Sequence, residues 1–144
     1  MKKVSVVIPM YYEEEVANEC YQRMKSVLTA IPNYEYEIVF INDGSKDKTL
    51  EILEEIAKED KNVKVLSFSR NFGHQCAVTA GIKHVSGDAI VIIDADLQDP
   101  PELIPEMLKL WEQGYEVIYG KRKLREAEEA KRRKEAAELE AKWK

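Results

Sequence analysis

Residues 89–102 read AIVIIDADLQDPPE: five apolar residues, two aspartates flanking an alanine, then a proline pair. Ala89–Ile93 is the most uniformly apolar short run in the chain, which is the pattern of a central strand of a parallel sheet, buried on both faces. Pro100-Pro101 opens a helix expected over Glu102–Glu112, because proline is tolerated in a first helical turn. Gly114 ends that helix, and Glu116–Tyr119 reads as a fifth strand. Working back toward the N-terminus, the same alternation recurs. Val4–Pro9, Glu37–Ile41 and Val63–Phe68 are β-branched or apolar runs of strand length. Between them lie helical spacings. Glu13–Ala30 carries Val16, Cys20, Met24, Val27 and Leu28; the next helix carries Leu50, Leu53, Ile56 and Ala57, with Ser45 or Asp47 as its cap; Gly73–Val85 is rich in alanine. Strands separated by helices of this length imply parallel pairing and right-handed crossovers. The expected fold class is α/β: a Rossmann-like, mostly parallel sheet flanked by helices.

Composition limits what such a domain does. At 144 residues, with 44% apolar and 34% charged residues, the chain is long enough for one domain with a real core. Its net charge of −5 divides unevenly: residues 1–120 hold 12 Lys/Arg against 21 Asp/Glu, residues 121–144 hold 10 against 6. An acidic body excludes a duplex nucleic-acid partner, which requires a broad cationic face. It suits a site that holds a cation and, through it, a phosphorylated ligand. Cys20 and Cys76 have no zinc or redox spacing and read as small apolar core residues in a reducing compartment. The run VSVVIPM is cut short by Pro9 and the Glu13-Glu14-Glu15 cluster, so it is not a signal peptide, and no stretch approaches the roughly 20 apolar residues of a membrane helix. The expectation is a soluble, cytoplasmic chain.

Ligands of open α/β sheets bind beyond the carboxyl ends of the strands. That rule selects 9–13, 42–45, 69–73 and 94–99, and every unusual polar cluster lies in one of them. Asp94 and Asp96 are two residues apart on extended backbone, so both carboxylates can face one ion. Hard cations such as Mg²⁺ or Mn²⁺ take one or two carboxylates together with substrate phosphates, and Gln98 adds a neutral oxygen. The bland alternative makes the aspartates caps for the helix at Pro100, but Asp99 already stands where a cap is needed. Asn42-Asp43-Gly44-Ser45 is an ordinary strand-to-helix turn; its functional reading gives Asp43 the N–H edge of a nucleobase. Pro9-Met10-Tyr11-Tyr12-Glu13 is equally compatible with a strand end and a helix start. Arg70, ahead of Asn71-Phe72-Gly73 at a helix start, is a seat for a diphosphate. The sequence has neither GxGxxG nor GxxxxGK[ST], which argues against dinucleotide cofactors and P-loop chemistry. His74 and His84 receive no role.

Taken together, VVIPMYYEEE, FINDGSKDKT, SRNFGHQCAVTAGIKHVSGD, IIDADLQDPPE and VIYGKR resemble, in order and spacing, the family 2 GT-A glycosyltransferases of the polyprenyl-phosphate type, such as dolichol-phosphate mannosyltransferases and bactoprenol glucosyltransferases. The resemblance covers about residues 4–122. One departure is Tyr12, where the motif usually has Asn. The resemblance implies that Pro9, Tyr11 and Glu13 line a nucleoside pocket and that Asp43 reads the base. It implies that Asp94, Asp96 and Gln98 hold the divalent metal (Mg²⁺ or Mn²⁺), the two aspartates being the catalytic pair, and that Arg122 lies near the acceptor phosphate. The reaction implied is inverting transfer of a sugar from a UDP- or GDP-sugar, UDP-glucose first from the flavour of SRNFGHQ, to polyprenyl phosphate at the cytoplasmic face of a membrane.

Such enzymes continue well past the Gly120-Lys121-Arg122 stretch. The expectation is therefore a nucleotide-sugar-binding half-domain over 1–122, the N-terminal half of a GT-A fold, weakly active or inactive. A rival is an engineered α/β scaffold that keeps its site residues unused. Residues 123–144 are built almost wholly of Ala, Glu, Lys, Arg and Leu, with Glu128/Arg132, Glu129/Arg133, Glu138/Lys142 and Glu140/Lys144 in the favourable helical order. They read as one charged C-terminal helix of engineered composition. Its narrow stripe of Ala136, Leu139 and Trp143 calls for cover, either from the surface near Val117–Tyr119 or from a second chain in a homodimer.

Overall fold

Four parallel strands form the sheet of the computed structural model, which describes residues 1–95 and 100–114. In chain order the elements are β1 (Lys2–Met10), α1 (Ala17–Thr29), β2 (Tyr34–Asn42), α2 (Thr49–Glu59), β3 (Val63–Ser67), α3 (His74–Lys83), β4 (Ala89–Ile92), a 3₁₀ turn (Pro101–Leu103) and α4 (Ile104–Glu112). The sheet order is β3-β2-β1-β4. Its long central pairing runs from Lys2 opposite Tyr34 to Met10 opposite Asn42. The period of two along β1 divides the core. Val4, Val6, Ile8 and Met10 face α1, α2 and α4, whereas Val7, with Val39 and Ile41 of β2, meets Ala77 of α3 on the other face. Helices therefore flank both faces, as the alternating pattern requires. None of the helices among the described residues is long and apolar enough to cross a membrane.

Three expectations change. Among the described strands the run 89–93 stands at one edge of the sheet, as β3 does at the other, and its burial alternates, with Ile90 43% and Ile92 39% exposed. An apolar run reports the faces a strand offers for burial, not its rank in the sheet. β1 and β2 take the centre although each carries polar residues, and Ile90 and Ile92 lie on the face where Ala77 and Gly81 of α3 pack on the sheet nearer β1 and β2. The first helix begins at Ala17 rather than Glu13, because the Glu13 carbonyl accepts from the N–H groups of Val16 and Ala17 in a preceding turn. Of the two cysteines only Cys20 is buried; Cys76 is exposed, since α3 presents Ala77 and Gly81 to the sheet. Asp47 rather than Ser45 serves the start of α2, accepting from the Thr49 N–H at 3.0 Å. The expected strand at Glu116–Tyr119, the charged tail and its homodimer contact lie outside the described residues.

At the amino ends of the strands a buried carboxylate fixes the register of β4. Glu37, 3% exposed, accepts from Ser5 Oγ at 2.7 Å, from Ser86 N–H at 2.7 Å and from Ser86 Oγ at 3.0 Å. Its other oxygen faces Lys64 Nζ at 3.0 Å. Gly87 N–H donates to the same Ser5 Oγ at 2.8 Å, so the turn that enters β4 is pinned to β1 and β2. Burial alone would raise the Glu37 pKa, but the hydrogen bonds from Ser5 and Ser86 and the nearby Lys64 outweigh it and hold the carboxyl at about 2. A carboxyl depressed on folding stabilises the fold above its unfolded pKa and loses that contribution as pH falls toward the folded value. Chemical denaturation should show this contribution, on the order of 3 kcal/mol, fading between roughly pH 4.5 and 2. Glu37→Gln should be the less stable protein at pH 7 and should converge on the parent at the acid end.

Candidate functional site

The carboxyl ends of β1, β2 and β4 open on one cleft of about 320 Å³, within the range of small-molecule sites. Pro9, Tyr11, Glu13, Asp43 and Asp94, all singled out in the sequence, line it together. Arg70 does not: its guanidinium lies over the Phe72 ring, 4.4 Å from the centroid, a cation–π contact away from the lining. Asp96, Gln98 and Arg122 lie outside the described residues.

Asp43 stands one residue past the end of β2 and is 3% exposed. Its Oδ1 accepts from Phe72 N–H at 2.8 Å, and its Oδ2 accepts from Gly73 N–H at 3.1 Å and from Asn71 Nδ2 at 3.0 Å. Its own N–H donates to the Met10 carbonyl at 2.9 Å. A carboxylate offers about four acceptor positions, so three are spent on the loop that leads into α3. The residue expected to read a base is also the clamp that shapes the site. Gly44 makes the clamp possible: at φ +77° a Cβ would stand 2.2 Å from the Arg70 carbonyl carbon. The turn reading of 42–45 and the functional reading thus describe the same four residues.

A second set of contacts orients the 11–14 segment. Tyr12 adopts the left-handed conformation, φ +54°, and its N–H donates to Ser45 Oγ at 2.9 Å. Glu13 N–H donates to the buried Thr49 Oγ1 at 3.0 Å, and Lys48 N–H to Glu14 Oε2 at 3.2 Å. The rings of Tyr11 and Tyr12 meet edge to face with centroids 4.6 Å apart. Asn, usual at this position in the motif the sequence resembles, is the side chain that tolerates left-handed backbone best after glycine.

Asp94 ends β4's extension into the cleft, and His74, the first residue of α3, reaches it: Nε2 lies 3.1 Å from Asp94 Oδ1. Sequence reasoning assigned His74 nothing. Its only signal was a position one residue past a glycine in a loop already marked as part of the site. The described donors suit a hard cation shared with a ligand phosphate: Asp94 supplies carboxylate oxygen at an open cleft, and such ions are held by one or two carboxylates rather than by an all-protein cage. Among the described residues no group of three His, Cys, Asp or Glu converges closely enough to hold a metal by itself.

Two substitutions test this construction by urea denaturation. Gly44→Ala should lose on the order of 3 kcal/mol, from left-handed strain and collision with the Arg70 backbone. Tyr12→Asn should gain about 1 kcal/mol by relieving left-handed strain.

Comparison with known proteins agrees with the geometry. The model of glycosyl transferase family 2 matches residues 5–143. A protein of Bacillus subtilis (strain 168) named uncharacterized glycosyltransferase YkcC is 55% identical over 86% of this chain and 38% of its own length. The bactoprenol glucosyl transferase of Shigella phage SfV is 45% identical over 93% of this chain and 43% of its own. Among solved structures, S. aureus TarS 1–349 superposes with a TM-score of 0.58 at 28% identity, over 72% of this chain and 32% of that one. Its complex with UDP gives 0.51 at 26% identity over the same shares. The chain spans about two-fifths of the length of the curated relatives it matches. A parallel sheet of GT-A type, a cleft at its carboxyl edge and these similarities have one reading: the chain belongs to glycosyl transferase family 2.

Proposed function

We propose that the cleft binds the nucleotide portion of a UDP- or GDP-sugar together with a divalent cation, Mg²⁺ or Mn²⁺, as the donor half of a glycosyltransferase acting on polyprenyl phosphate. The observation that carries this reading is the convergence of Pro9, Tyr11, Glu13, Asp43 and Asp94 from three different strand ends on one cleft. Pro9 and Tyr11 offer apolar and aromatic surface to a nucleoside, and the remaining acceptor position of Asp43 suits a base N–H. Asp94, with Asp96 and Gln98 beyond the described residues, would hold the cation. When bound, that cation offsets the charge that builds on a departing nucleotide diphosphate. The acceptor phosphate, an anion already, needs little help from a general base, and Arg122 is the residue proposed to meet it. A relative named bactoprenol glucosyl transferase and a TarS structure holding UDP support the choice of ligand class, with UDP-glucose first. Residues 1–122 would then be the part that holds the nucleotide sugar.

Calorimetry with UDP, UDP-glucose and GDP-mannose, each with and without Mn²⁺, tests the reading. Mn²⁺-dependent heat is expected with at least one, and silence with all three would leave an unused scaffold as the better account. Asp96→Ala should abolish the Mn²⁺-dependent part with the melting temperature unchanged; undiminished affinity at saturating Mn²⁺ would remove Asp96 from the site.

A further inference from the structure

We propose that His74 is a positioning residue for Asp94, holding one carboxylate oxygen so that Asp94 presents itself to the cation in a fixed orientation. The inference rests on the nucleotide and cation reading of the cleft and extends it to a residue outside the resembled metal motif. The geometry starts at β2. Asp43 takes the N–H of Gly73, and Gly73, at φ +100°, turns the chain into α3. His74 follows immediately, so the origin of its side chain is set by a buried carboxylate at the end of a different strand. From there the imidazole reaches the end of β4, 20 residues on, with Nε2 at 3.1 Å from Asp94 Oδ1.

A carboxylate only accepts, so the Nε2 position carries the hydrogen and donates it. The contact contributes little to folding: the His74 side chain is 64% exposed and that of Asp94 26%, and water screens such pairs. Its consequence is directional. With one lone pair of Oδ1 engaged by the imidazole, the two oxygens of Asp94 are no longer equivalent toward an ion, and Oδ2 is favoured. Small hard cations with octahedral demands favour single-oxygen coordination, and carboxylates that serve them are themselves held by hydrogen bonds. His74 and Asp94 line the same cleft, so this hold acts where the ligand phosphates would meet the ion.

The test uses the whole chain with Mn²⁺ and UDP as probes, GDP in parallel, and three readouts: nucleotide affinity with Mn²⁺, nucleotide affinity without it, and melting temperature. His74→Leu should weaken Mn²⁺-dependent binding about ten-fold or more, leaving metal-free affinity and melting temperature at parent values. His74→Gln, whose amide nitrogen can occupy the Nε2 position, should stay within about three-fold of the parent. Parent-like Mn²⁺-dependent affinity in His74→Leu overturns the proposal. So does His74→Gln as weak as His74→Leu, since the hydrogen bond would then not be what matters, and so does a loss of metal-free affinity, which would put His74 on the nucleotide itself. A parent that shows no Mn²⁺-dependent binding to either nucleotide overturns the reading of the cleft and this inference with it; a Mn²⁺-dependent parent beside an unaffected His74→Leu overturns this inference alone.

Discussion

The Asp43 carboxylate, buried at the carboxyl end of β2, holds the loop that forms one wall of the cleft. It takes two backbone N–H groups and one side-chain amide from residues 71–73, and through them it fixes where α3 begins. Its own backbone is bound to the end of β1 through the Met10 carbonyl. A buried carboxylate held by three donors is costly to disturb, because its loss would release the 71–73 loop from the end of β2. Gly44 belongs to the same constraint, since only the absence of a side chain lets the 69–73 loop approach closely enough to be held. The cleft is therefore shaped by the second strand as much as by the aspartate at the end of the fourth.

A second buried carboxylate stands at the opposite end of that strand. Glu37 and Asp43 are six residues apart in extended backbone, roughly 20 Å, and both bind turns that would otherwise be loose. Glu37 fixes the turn entering β4 and hence how far β4 runs before Asp94. Asp43 fixes the turn entering α3 and hence where His74 starts. His74 and Asp94, which touch in the cleft, come from segments anchored separately to the same strand. Their contact is thus a product of β2, although neither residue belongs to it.

Much of this was legible in the sequence, for definite reasons. Period-two and helical spacing located all four described strands and their helices, since burial against one sheet imposes those periods directly. The carboxyl-end rule then brought Pro9, Tyr11, Glu13, Asp43 and Asp94 to one place. The edge position of β4 among the described strands was not legible, because strand order depends on crossovers that no local pattern encodes. The stacking of Arg70 on Phe72 was not legible, because it is a contact between near neighbours that spacing does not reveal. The double duty of Asp43 was hidden for a different reason: its partners are mostly backbone N–H groups, which leave no trace in side-chain identity. His74 was missed because a single histidine carries no periodicity, and its partner is reached only after the chain has folded.

The uneven fate of the two cysteines gives the molecule a chemical handle. Cys20 is sealed in the core on the inner face of α1, whereas Cys76 stands exposed on α3 two residues beyond His74. A thiol reagent applied to the native protein would therefore discriminate between them without mutagenesis. Fluorophores or spin labels attached there would sit at the rim of the cleft on the helix whose origin Asp43 fixes. Occupancy of the site and motion of that helix could then be followed from a position that leaves the cleft residues themselves unmodified.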